Sequence, residues 1–175
     1  MITSAKQLKD KIKNLSGGNG TKAQMLLRNF IMERFLERIS FSEYKDRMIL
    51  KGGMLVASIV GLDTRTTMDI DTTVTSLPLT LPEAKNIVEK IAGIDLGDGV
   101  TFAVKSVSDI MEDHDYPGLR FMLDAHFDGL RQAIKIDIST GDTITPAAIS
   151  YNYKLMLEER SICILSYNLE AIPHN

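Results

Sequence analysis

Residues 48–74 constrain this chain more than any other stretch. They read as a short apolar strand, Met48-Ile49-Leu50, followed by Lys51, the pair Gly52-Gly53 and a helix through Val60. A loop carrying Arg65, Thr66 and Thr67 then leads into a second strand over 68–74. A period of two puts Asp69 and Asp71 on one face of that strand and Met68, Ile70, Thr72 and Val74 on the other. Neighbouring carboxylates on one strand face repel, so the pair costs stability unless a cation holds it. The glycines let backbone approach a ligand, and the helix after them offers unpaired N–H groups and a positive dipole end. Carboxylates of this kind are hard oxygen donors for magnesium, which bridges them to substrate phosphates. The physical reading is a site for a metal-bound polyphosphate. It is not a P-loop, because no Gly-Lys-Ser/Thr follows the glycines, and Gly-x-Gly-x-x-Gly is absent.

At 175 residues the chain is expected to form one domain with a proper hydrophobic core. No apolar run approaches a membrane span and the N-terminus lacks a signal-peptide core. Cys163 is the only cysteine, which excludes an internal disulfide and a zinc cluster. These features together lead us to expect a cytoplasmic protein. Charge is unevenly spread: residues 1–51 carry 11 Lys/Arg against 5 Asp/Glu, within a chain whose net charge is −3. That basic region reads either as an attractor for nucleic acid or triphosphate, or as a solvated helical surface.

Along the chain, Ser4 and Gln7 form a capping-box pattern ahead of Leu8, Ile12 and Leu15, and the run 16–20 stops that helix. Thr21 and Gln24 read as a second capping box, opening a helix to about Ile39 whose apolar residues form a broad band contacted on more than one side. This pair of helices reads as core packing rather than as a groove-reading helix-turn-helix. Thr80 and Glu83 start a further helix with the face Ala84, Ile87, Val88 and Ile91, ended near Gly93. Gly97-Asp98-Gly99 turns into a strand. Glu112-Asp113-His114-Asp115 reads as a solvated loop, and the three histidines have no ligand spacing. Asp128-Gly129, between apolar-alternating runs, is the strongest hairpin signal in the chain. On its second strand Ile134, Ile136 and Ile138 point one way and Lys135, Asp137 and Ser139 the other. Asp137 is therefore either a third acidic ligand beside Asp69 and Asp71, or one half of a Lys–Asp pair on a wet sheet face. The run 151–165 has no clean period.

Glycine pair, helix and Asp-x-Asp on the next strand are similar to the nucleotidyltransferase superfamily that includes DNA polymerase β. More narrowly, Leu50-Lys51-Gly52-Gly53 with Arg65-Thr66-Thr67-Met68-Asp69-Ile70-Asp71 resembles the AbiEii/AbiGii toxin family of type IV toxin–antitoxin systems. Asp98-Gly99-Val100-Thr101-Phe102, Tyr116-Pro117-Gly118-Leu119-Arg120 and the run from Asp137 to Pro146 carry the same resemblance. It implies an α+β fold of the polymerase β type: a mixed sheet, about five strands, with helices packed on one side and an N-terminal helical pair. In that layout 1–46 would be the helical region, 47–142 the catalytic core and 143–175 a C-terminal segment. It also implies a nucleotidyltransferase dependent on Mg²⁺ or Mn²⁺, with Asp69, Asp71 and Asp137 catalytic and metal-ligating. Lys51, Gly52, Gly53, Arg65 and Arg120 would bind the nucleotide. The implied partners are a nucleoside triphosphate, an RNA acceptor such as the tRNA 3′ end, and a cognate antitoxin.

Two departures qualify the resemblance. Met54 stands where the family has a small hydroxylated residue, so one hydrogen bond to phosphate is expected to be missing. Family members also continue into a helical region after a segment like 166–170, so the chain is expected to be C-terminally truncated. The alternative expectation is therefore a catalytically incompetent nucleotidyltransferase-fold domain that only binds nucleotide or a partner protein. A metal-dependent phosphohydrolase is a third reading, weakened by the lack of histidine ligands.

Overall fold

A computed structural model describes residues 1–61, 69–75, 80–110, 118–139 and 148–168. Helices α1 (Ala5–Ser16) and α2 (Gly20–Ser40) come first, then strand β1 (Met48–Lys51) and helix α3 (Gly52–Val60). Strand β2 (Asp69–Val74), helix α4 (Leu81–Ala92) and strands β3 (Val100–Ile110), β4 (Gly118–Phe127) and β5 (Leu130–Ser139) follow. Strands β6 (Ile149–Lys154) and β7 (Ser161–Ser166) close the series. Among the described residues the sheet has seven strands in the order β3-β4-β5-β2-β1-β7-β6, not about five. It is mixed: β2 runs parallel to β5 and β1 parallel to β7, while the other neighbours are antiparallel. The run 151–165, which shows no periodicity, supplies the two extra strands.

Local chemistry accounts for the boundaries. The Ser4 hydroxyl accepts from Gln7 N–H at the start of α1, and Gly17 ends that helix in the left-handed region at φ 59°. Helix α2 starts one residue before Thr21, because Asn19 rather than Thr21 is its cap and accepts from Lys22 N–H at 3.1 Å. Thr80 caps α4 through Glu83 N–H. Asp128 (φ 45°) and Gly129 (φ 82°) make the tight turn between β4 and β5, both with the positive φ that a type I′ hairpin requires.

The sheet has one face packed by helices and a second, more open one, on which Asp69, Asp137 and Arg120 are partly exposed while Ile49 and Thr73 are buried. Leu50, Ile70, Phe121, Ile136 and Ile138 belong to the packed face and are buried. Helix α2 crosses it, with Phe30 against Phe127 and Phe35 edge-on to Phe102. Helix α3 lies on the same side, where Ser58 meets the Tyr151 hydroxyl of β6 at 2.9 Å. No helix among the described residues is long and apolar enough to cross a membrane.

Neither reading of the basic N-terminal region holds for two of its arginines, which are buried. Arg38 spends its guanidinium on Asp98 (2.9 and 2.8 Å), the carbonyls of Ile94, Arg34 and Val100, and the face of Phe102. Arg34 pairs with Glu37 and Glu158, and Arg160 reaches back to both of those carboxylates. This network ties α2 to the start of β3 and to the β6–β7 turn. Beside it, Glu33 accepts from Met156 N–H at 3.2 Å, and burial pushes its carboxyl up to about 7.

Arg38→Ala leaves buried Asp98 with only the longer 3.8 Å contact to Arg34 and the Val100 N–H, and is expected to cost about 3 kcal/mol in urea unfolding. Because Glu33 has a folded pKa raised above its usual value, its contribution is fully present below about 4.5 and is lost as pH rises through about 7. Unfolding midpoints should therefore fall over that window in the native protein, and Glu33→Gln should flatten that part of the profile.

Candidate active site

The sheet register brings the candidate residues together on the open face. Lys51 of β1 is the cross-strand partner of Asp71 on β2, Asp71 of Asp137 on β5, and Asp137 of Arg120 on β4. Cross-strand partners project to the same side, so one row across four strands reads cation, carboxylate, carboxylate, cation. Asp69 stands two residues before Asp71 on that same face, in register with Lys135. Adjacent strands are roughly 4.8 Å apart, which makes Asp71 and Asp137 direct like-charged neighbours.

Arg120 neutralises one side of this row. Its Nε and Nη2 each donate to an Asp137 carboxylate oxygen at 2.9 Å, a bidentate pair, and Nη2 lies 3.7 Å from Asp69 Oδ2. Asp137 is thus paired with arginine from the strand beyond, not with Lys135 along its own strand. The structure sets Arg120 against carboxylates, where the resemblance implies a phosphate contact. On the other side Lys51 Nζ donates to the Ser139 hydroxyl at 2.9 Å and lies 6.0 Å from the Tyr167 ring centre. Thr73 links that cluster, with its hydroxyl 3.3 Å from Ser139 Oγ and 3.1 Å from Tyr167 Oη.

Gly52 occupies the junction of β1 and α3 with φ 75°. A Cβ built there would overlap the Asp71 carboxylate oxygen and lie 3.1 Å from Asp71 Cβ and Cγ. The glycine thus leaves the space in which the Asp71 carboxylate sits, at the start of the nine-residue α3. Gly53 follows in the first turn of that helix, whose N–H groups and dipole favour anions. Arg65, Thr66, Thr67, the acidic run 112–115 and the turn at 140–142 lie outside the described residues.

The donor set suits a hard divalent cation: carboxylates on neighbouring strands, one of them in space that only a glycine leaves open. Among the described residues no three ligating side chains are grouped as a metal site as they stand, and both oxygens of Asp137 face Arg120. Ser139, Thr73 and Tyr167 were not among the expected site residues. Ser139 follows from the period of two that places it beside Asp137. Tyr167 carries no local signal, since only the parallel pairing of β7 with β1, continued by Tyr167 N–H to Leu50 C=O at 3.1 Å, brings it there.

A mixed sheet with an acidic pair beside a glycine-started helix agrees with the nucleotidyltransferase resemblance of the sequence. The family comparison agrees: residues 34–172 match the nucleotidyl transferase AbiEii toxin family of type IV toxin–antitoxin systems. The chain belongs to that family. No curated protein matches the sequence. Among solved structures, it is similar to a candidate nucleotidyltransferase from Helicobacter pylori at 15% identity and TM-score 0.49, covering 84% of this chain and 55% of that one. It is also similar to JHP933 from Helicobacter pylori at 18% identity and TM-score 0.47, covering 84% of this chain and 53% of that one. The chain thus spans about half the length of these two proteins.

The Gly52–Asp71 contact generates a prediction that does not depend on activity. Gly52→Ala is expected to cost about 1–2 kcal/mol for the left-handed φ alone, with a further cost from displacing the Asp71 carboxylate. In an Asp71→Ala background that further cost should shrink, giving a coupling of about 0.5–3 kcal/mol in a urea-unfolding double-mutant cycle. Equal costs in both backgrounds would contradict the assigned contact.

Proposed function

We propose that the chain transfers a nucleoside monophosphate from a nucleoside triphosphate to a hydroxyl of an RNA acceptor, with the tRNA 3′ end as the first candidate. The observation that carries this reading is the register of β2 and β5, which sets Asp71 beside Asp137 on one open face with Asp69 two residues away. Asp69, Asp71 and Asp137 would hold Mg²⁺ or Mn²⁺. When bound, the ion supplies charge stabilisation at the attacking and leaving oxygens and lowers the pKa of the acceptor hydroxyl.

The chain's own residues account for the remaining steps. The N–H groups at the start of α3, approached over Gly52 and Gly53, face the triphosphate. Lys51, one strand from Asp71 and steadied by Ser139, contributes a point charge to the same phosphates. The acceptor oxygen forms a bond to the α-phosphorus in line with the departing pyrophosphate, whose bond to that phosphorus breaks. Asp137, besides holding the ion, would also take the acceptor's proton. Membership of the toxin family supports a role in growth arrest, countered by a cognate antitoxin.

Incubation with each α-labelled nucleoside triphosphate, Mg²⁺ and bulk RNA tests this reading. We expect covalent labelling of RNA with one or more nucleotides, abolished by chelation. Asp69→Ala and Asp137→Ala should each lower it by about a thousandfold or more while leaving the fold intact, in line with the loss of a metal-bound charge clamp. Nucleotide binding without labelling would overturn the enzymatic reading in favour of a binding domain.

A further inference from the structure

Resting on the metal site proposed above, we propose that Arg120 is an internal counter-ion. It holds Asp137 while the divalent ion is absent and gives it up when ion and triphosphate bind together. Both Asp137 oxygens accept charge-assisted bonds from Arg120 at 2.9 Å, and the same guanidinium leans toward Asp69 at 3.7 Å. The guanidinium takes one lone pair of each Asp137 oxygen and puts its positive charge where a divalent ion would approach, so the ion's entry is opposed by like-charge repulsion. At the other end of the row the Lys51 ammonium lies one strand beyond Asp71 and donates to Ser139, so Arg120 is the cation bonded to Asp137. The ion and Arg120 therefore compete for Asp137.

The backbone of Arg120 is fixed on both sides, since β4 pairs with β3 and with β5 at this residue. Its side chain is about a third exposed, so the head can swing while the strand stays put. Once displaced, the guanidinium fork stands next to the bound ion, where its geometry matches a phosphate as well as it matched the carboxylate. The ion then pays less for entry when a triphosphate is present to receive Arg120, and each ligand raises the affinity of the other. Arg120 is a positioning residue in the ion-free protein and a phosphate ligand in the loaded one.

Mn²⁺ affinity measured from the electron paramagnetic resonance of the free ion tests this, with and without a non-hydrolysable triphosphate. Without nucleotide, Arg120→Gln should bind Mn²⁺ about tenfold tighter than the native chain, and Arg120→Lys should fall between them, because a point charge cannot make the bidentate pair. Lys135→Gln removes the same charge from the same face, and any gain from general electrostatics alone appears there; we expect less than about threefold. With the triphosphate present the advantage of Arg120→Gln should vanish, and its triphosphate affinity should drop. Mn²⁺ binding unchanged or weakened in Arg120→Gln, or matched by Lys135→Gln, overturns the counter-ion role and leaves the metal site standing. Absence of Mn²⁺ binding in every variant, with nucleotide and without, overturns the metal site itself.

Discussion

Two carboxylates held side by side on adjacent strands are the constraint that the rest of the structure answers. Asp71 and Asp137 face each other across the parallel β2–β5 pairing, half-buried, where water screens their repulsion less than it would at an open surface. The register that imposes this contact is held from the other side of the sheet. Ile70, Ile136 and Ile138 are fully buried there, and a slip of one residue would drive them into solvent and turn the carboxylates inward. The acidic row is thus set by core packing, and its charge is balanced by Arg120 at one end and Lys51 at the other.

The buried ion network has a different task. It joins elements remote in sequence: Arg38 of α2 to Asp98 before β3, and Arg34 and Glu37 of α2 to Glu158 and Arg160 at the β6–β7 turn. Such groups add little net stability over an apolar core of equal volume, but once buried each depends on its partner. They fix α2 across the whole packed face, so the long helix presents the same backing to the core strands and to the C-terminal pair. That pair in turn extends the sheet beyond β1 and carries Tyr167 to the edge of the acidic row.

Much of the region from β1 to β5 is legible in the residues alone, for identifiable reasons. Strand β2 alternates cleanly, Asp128-Gly129 has only one comfortable hairpin conformation, and Thr80 with Glu83 states where α4 begins. The family resemblance rests on the same segments. What stayed hidden is non-local. Arginines are counted as surface charge by any composition argument, and nothing near Arg38 announces that Asp98, sixty residues on, is its partner. Strands β6 and β7 pair with each other and with β1, and their mixed faces blur the period of two. The pairing of Asp137 with Arg120 instead of Lys135 depends on side-chain reach across strands, which spacing along one strand does not contain.

The decisive question is whether Asp69, Asp71 and Asp137 share one ion. The direct measurement is anomalous scattering from a crystal grown with Mn²⁺ and a non-hydrolysable nucleoside triphosphate. A manganese peak within coordination distance of oxygens from both β2 and β5, roughly 2.0–2.3 Å away, with the Arg120 guanidinium moved off Asp137, is the predicted result. A peak bound by one strand only, or no peak on this face while the nucleotide is present, would contradict it.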